Sequence, residues 1–173
     1  MGVKDYRNDG PDSPPQLEPF NLIGVLSGPS PLLSSTQALQ PSKRQAMQLW
    51  QVFVNNVDPF SKVLHLPTAQ IGIFKAIEHP HEASGEANCL LFSIYFAAIT
   101  SISADEVRNV LGWDKMNAIS ACKRGLEISL AQANFLAEPT FISLQAMCLF
   151  LVRPHPSGYS SLTPEPRPLT LVL

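Results

Sequence analysis

The stretch Cys89 to Ile99 runs Cys-Leu-Leu-Phe-Ser-Ile-Tyr-Phe-Ala-Ala-Ile. No other feature of the chain restricts its fold as much. At 100° per residue, Leu90, Leu91, Phe92, Ile94, Tyr95, Phe96, Ala98 and Ile99 cover nearly the whole circumference of a helix running from about Glu86 to Ser101. A helix that is apolar all round must be enclosed by other helices or by lipid. The apolar stretch from Asn88 to Ile102 is too short to span a bilayer and carries Ser and Thr. The sequence therefore predicts a helical bundle with this segment at its centre.

The flanking sequence from 42 to about 152 supplies the partners. Ser42 caps a predicted first helix over Lys43–Asn56, with Met47, Trp50, Val54 and Val57 at three- and four-residue steps and Leu49 and Phe53 beside them. Asp58-Pro59 ends it, and Phe60 to Leu66 reads as a short extended stretch. Thr68 is expected to cap a second helix with Ile71, Phe74 and Ile77 as its stripe, ended by His79-Pro80. After the central helix, Ser103-Ala104-Asp105-Glu106 carries a capping-box signature for a short fourth helix that Gly112 closes. Asp114 caps a fifth, predicted to reach about Leu136. Ile119, Cys122, Leu126, Leu130 and Ala133 face inward there, and Lys115, Lys123, Arg124, Glu127 and Gln132 take the wet side. Thr140 opens a sixth, Phe141–Val152. No period-two alternation appears between 42 and 152, so the expected class is all-α, a partial bundle of about six helices.

Proline placement divides the chain. Seven of the 16 prolines fall in residues 1–41 and five in residues 153–173. Proline fixes φ and removes a backbone donor, so both ends are expected to be disordered tails around a domain at 42–152. The first ten residues lack an apolar signal core, and Tyr6 stands where a myristoylation motif needs Ser or Thr. An intracellular, reducing location is expected by elimination.

Composition excludes several classes of function. Lys and Arg total 12 against 14 Asp and Glu, so the chain lacks the positive excess of a phosphate-neutralising nucleic-acid binder. The pairs Lys43-Arg44 and Lys123-Arg124 are too short to form such a stripe. The three cysteines, Cys89, Cys122 and Cys148, form no C-x-x-C pair and suit neither a disulfide scaffold nor a multi-cysteine zinc module. His79-Pro80-His81-Glu82 reads as a solvated loop rather than a metal site. His65, between apolar neighbours, reads as a packed core histidine rather than a base. No G-x-S-x-G, H-E-x-x-H or phosphate-binding glycine loop occurs, so no catalytic residue, metal ligand or cofactor site is assigned. Trp50, Phe53 and Phe74 read as core, although the same helical stripes can line an effector pocket.

Three phrases carry a family resemblance. Residues 49–68, LWQVFVNNVDPFSKVLHLPT, closely resemble the opening of the fungal-specific transcription factor domain, the middle homology region of the fungal zinc-cluster regulators. The matching positions are Leu49, Trp50, Phe53, Val57, Pro59, Lys62, His65, Pro67 and Thr68. Leu90-Leu91-Phe92-Ser93-Ile94-Tyr95-Phe96-Ala97-Ala98-Ile99 is similar to a second family helix. Arg124–Glu127, Ala133–Leu136 and Leu144-Gln145-Ala146 are similar to later ones. The resemblance covers roughly residues 45–152.

It implies a nuclear regulatory domain that controls RNA polymerase II transcription through other transcription factors or coregulators, with an unidentified small-molecule effector as a further possibility. Family members usually bind DNA through a Zn2Cys6 cluster, followed by a coiled-coil linker. Neither is present in these 173 residues, so zinc and DNA contact are expected of full-length members and not of this chain. The chain is accordingly expected to be a fragment or truncated product, with a stand-alone helical interaction module or a non-functional product as the alternatives.

Overall fold

In a computed structural model the described residues are 36–151, and the two expected tails lie almost wholly outside them. Those described form seven α-helices and one 3₁₀ turn, with no strand. The helices are α1 (Lys43–Asn56), α2 (Asp58–Ser61), α3 (Leu66–Glu78), α4 (Gly85–Ser101), α5 (Ala104–Leu111), α6 (Lys115–Gln132) and α7 (Phe141–Leu151). The all-α class holds.

Helix α4 is the axis of the bundle. It packs on α1, α3, α6 and α7, and 13 of its 17 residues are buried. Leu91, Phe92, Ile94 and Ile99 have no exposed surface. Burying side chains of this size stabilises by roughly 1.5–3 kcal/mol each, which is why the surrounding helices must close on all sides.

The helix ends follow local chemistry. Ser42 and Gln45 form a reciprocal capping box at α1, and Ser103 and Glu106 form another at α5. Asp114 accepts from the backbone N–H of Met116 and Asn117 at α6. Gly112 closes α5 at φ +71°, a left-handed conformation that costs glycine nothing. Thr140 and Ser143 exchange hydrogen bonds at the start of α7.

Six local expectations are corrected. The stretch expected to be extended at 60–66 begins inside α2, because Pro59 occupies the first turn of a helix, where its missing N–H costs nothing. Lys62 ends that turn at φ 37° and pairs with buried Asp58 at 2.9 Å. By the same logic Pro67 sits inside the first turn of α3, so the helix starts before Thr68, with His65 at the N-cap. The buried face of α3 is Ile73, Ala76 and Ile77, and Ile71 is 75% exposed.

Helix α6 stops at Gln132 rather than near Leu136. Asn134 takes a left-handed φ of 50°, and Phe135 N–H returns to Leu130 O. Asn is one of the few side chains that tolerate this C-terminal position. Finally, Thr36–Leu39 form a 3₁₀ turn packed on α6, where sequence alone predicts a disordered segment through residue 41. Gln40 donates to Asn88 and Gln37 meets His81 Nδ1 at 2.6 Å, which ties the turn to the start of α4. Lys123, expected on the wet face, is 8% exposed on the helix that this turn also covers.

Candidate functional site: the cleft between α3 and α7

The nine motif positions divide between two places. Leu49, Trp50, Phe53 and Val57 are buried. Trp50 stacks on Phe53 at 5.8 Å and meets Phe74 edge-on at 6.0 Å, so this aromatic group is core rather than a ligand cage. Pro59, Lys62, His65, Pro67 and Thr68 are exposed along the connection from α1 to α3. His65 is therefore not the packed core histidine that its neighbours suggest. It precedes the helix as its N-cap, where the chain turns its side chain outward.

His65 and Thr68 reach the rim of a cleft of about 350 Å³ between α3, α4 and α7. Ala69, Gly72 and Ile73 of α3 line one wall, Ala87 and Leu90 of α4 the floor, and Phe141, Ile142 and Gln145 of α7 the other wall. His65 Nδ1 lies 2.8 Å from Thr68 Oγ1, which leaves Nε2 as the free ring nitrogen. Gln145 Nε2 donates to Val63 O at 2.9 Å, holding α7 against the α2–α3 connection and leaving the amide oxygen as an acceptor. The lining is otherwise apolar, and Phe141 on the outer wall is 75% exposed. Such a surface binds by burying apolar groups and supplies one or two orienting hydrogen bonds. The His65–Thr68 contact is the one hydroxyl–imidazole pair in the cleft, and no carboxylate lines the cleft to orient that ring.

Gly72, Phe141 and Ile142, and with them Ala69, Ile73 and Ala87, are not singled out by the sequence, whereas Gln145 stands in a family phrase. A glycine inside a predicted helix was the available signal for the first. The second signal was a terminal helix with no polar face.

Of the other candidates, His79, His81 and Glu82 are exposed in the loop after α3, with His81 engaged by Gln37. Among the described residues no three His, Cys, Asp or Glu side chains come together. No helix among them is long and apolar enough to cross a membrane.

The sequence is similar to regulators from several fungi. It is 34% identical to the aurofusarin cluster transcription factor aurR2 of Gibberella zeae over 119 residues, 69% of this chain. It is 35% identical to the pyriculol/pyriculariol biosynthesis cluster transcription factor 1 of Pyricularia oryzae over 72% of the chain. It is 31% identical to the C6 finger domain transcription factor nscR of Arthroderma gypseum over 73%. The chain belongs to the fungal C6 zinc-cluster transcription factors. The resemblance carried by residues 49–68, 90–99 and 124–146 is thus that of a relative. The chain spans only 16–18% of the length of these three C6 regulators. No family model matches it, and no solved structure does.

The zinc cluster that gives the C6 family its name cannot be assembled here. The chain has three cysteines in all, where the cluster takes six. Cys89 and Cys122 are buried, and loss of hydration pushes both thiols up to about 12. A metal ligand has to be a thiolate. These two sites oppose that charge.

Proposed function

We propose that residues 42–152 are the N-terminal part of the regulatory middle domain of a fungal transcriptional regulator. They act in the nucleus by contact with other transcription factors or coregulators. The nine motif positions serve as structure in this reading: Leu49, Trp50, Phe53 and Val57 as core, Pro59 to Thr68 as the connection that carries the cleft rim. DNA is reached through a zinc cluster outside these 173 residues, and no enzymatic step is assigned. The observation that carries the proposal is identity of 34–35% with two regulators over about 70% of the chain.

The cleft fits this role as a receptor for a partner's side chain. An enclosed small-molecule site buries most of its ligand, whereas here the outer wall at Phe141 stands in solvent. The test is a reporter assay in a filamentous fungus, with the chain fused to an unrelated DNA-binding domain. The expected result is reporter output several-fold above or below that of the DNA-binding domain alone. Unchanged output from a stably expressed nuclear fusion would sink the proposal.

A further inference from the structure

Helix α7 has two opposite apolar faces, and the described residues cover only one. Ser143, Ala146 and Leu149 are buried toward the bundle, and Phe150 meets Phe96 of α4 at 4.6 Å. On the other side Phe141, Leu144, Cys148 and Leu151 are exposed. Phe141, Leu144 and Leu151 are 75%, 48% and 71% exposed. Their spacing is i, i+3, i+7 and i+10. The only polar side chains on the helix are Ser143, which is buried, and Gln145, whose amide is held by Val63 O. A helix without a polar face is built to be covered on both sides.

We propose that this outer stripe and the adjoining cleft are a helix-docking seam. Its occupant is an amphipathic helix from the portion of the C6 regulators that this chain does not span. The stripe has the a/d spacing that meshes with a second helix, and about 15 Å of seam lies between Phe141 and Leu151. The described residues contain no strand edge to which an extended peptide could add. The cleft of about 350 Å³ beside Phe141 and Ile142 has room for one bulky aromatic side chain of the incoming helix, the usual anchor of such an interface. More than four-fifths of aurR2 lies outside the matched region, which is the source of the occupant. The inference rests on the regulatory reading above and names its contact surface.

Cys148 makes the seam measurable, because it is the exposed thiol on the stripe while Cys89 and Cys122 are buried. The full 173-residue chain is incubated with 25-residue synthetic peptides tiling the aurR2 sequence on both sides of the matched region. Maleimide labelling of Cys148 is timed, and helix content is followed by circular dichroism. The expected result is that at least one peptide slows labelling about tenfold or more and gains helix on binding. Leu144→Glu should weaken that peptide by about tenfold or more, the scale of a central interface residue, with an unchanged melting temperature because Leu144 is exposed. Phe141→Ala should weaken it as well.

Four results would each overturn the proposal. No peptide protects the thiol. Protection survives Leu144→Glu. The thiol is slow in the chain alone and becomes fast on dilution, which assigns the seam to a second copy. Or it is slow at every dilution, which assigns it to the chain's own ends. None of these depends on the reporter assay, so the two readings can fail separately.

Discussion

A Cβ placed on Gly125 of α6 would lie 2.3 Å from Cε1 of Phe92 on α4. The two longest helices of the bundle approach this closely because α6 has no side chain there. Phe92 has no exposed surface and stands edge-on to Tyr95 at 6.2 Å, so its ring has nowhere to retreat. Gly125→Ala improves helix propensity by roughly 1 kcal/mol, but overpacking a tight core costs about 1–3 kcal/mol, and the contact distance decides for overpacking. A net loss of up to about 2 kcal/mol is expected, read as a lowered urea midpoint at unchanged m-value. Gly125→Val should not fold stably. A raised midpoint for the alanine variant would show that α4 and α6 separate readily.

Gly72 of α3 is the opposite case. A Cβ there meets nothing within 4 Å, and its φ is ordinary. Neither packing nor backbone geometry requires glycine, so Gly72→Ala should stabilise the chain by about 0.5–1 kcal/mol. The added methyl group projects at the cleft wall, so the same variant should bind any seam-protecting peptide no better than the parent chain. Thermal melts of the two glycine variants side by side check the contrast in sign.

Stability should fall with acid through two exposed carboxylates. The Ser103 backbone N–H, and then its hydroxyl, hold Glu106 below the ordinary carboxylate value. A hydrogen bond from Lys43, and then its charge, do the same for Glu78. For a group lowered in the folded state, the stabilisation is fully present above the ordinary value of 4.5. It is lost as pH falls through the lower folded value. Urea midpoints should therefore be flat from pH 7 to 5 and drop below 4.5. Glu106→Gln with Glu78→Gln should flatten that drop. Added salt should reduce the Glu78 share most, since the Lys43 pair is open to solvent.

The thiols should separate cleanly. One of three is expected to react with a disulfide reagent at pH 8 in the native chain, and all three in urea. Cys148 is exposed, whereas Cys89 and Cys122 are buried and their thiolates are disfavoured. Fast reaction of two or three native thiols would mean that α4 and α6 do not pack as described.

Local chemistry made much of this fold legible in the sequence. The N-cap at Ser42, the capping box at Ser103, the closing Gly112 and the bounds of α1 depend on residues within one turn of each other. The buried centre of α4 was equally plain, because a helix with no polar face has one place to go. The three family phrases pointed to the regulators that the chain proves to resemble.

Tertiary structure alone decided the rest. The cleft joins His65 to Phe141, 76 positions away in the chain, and no periodicity within one helix encodes which of its neighbours leaves a gap. The face that α3 buries, the outward turn of His65, the burial of Lys123 and the docking of Thr36–Leu39 on α6 all depend on where distant helices come to rest. Sequence pattern states which side chains avoid water. Only packing, through the volume each neighbour fills, determines which of them remain exposed.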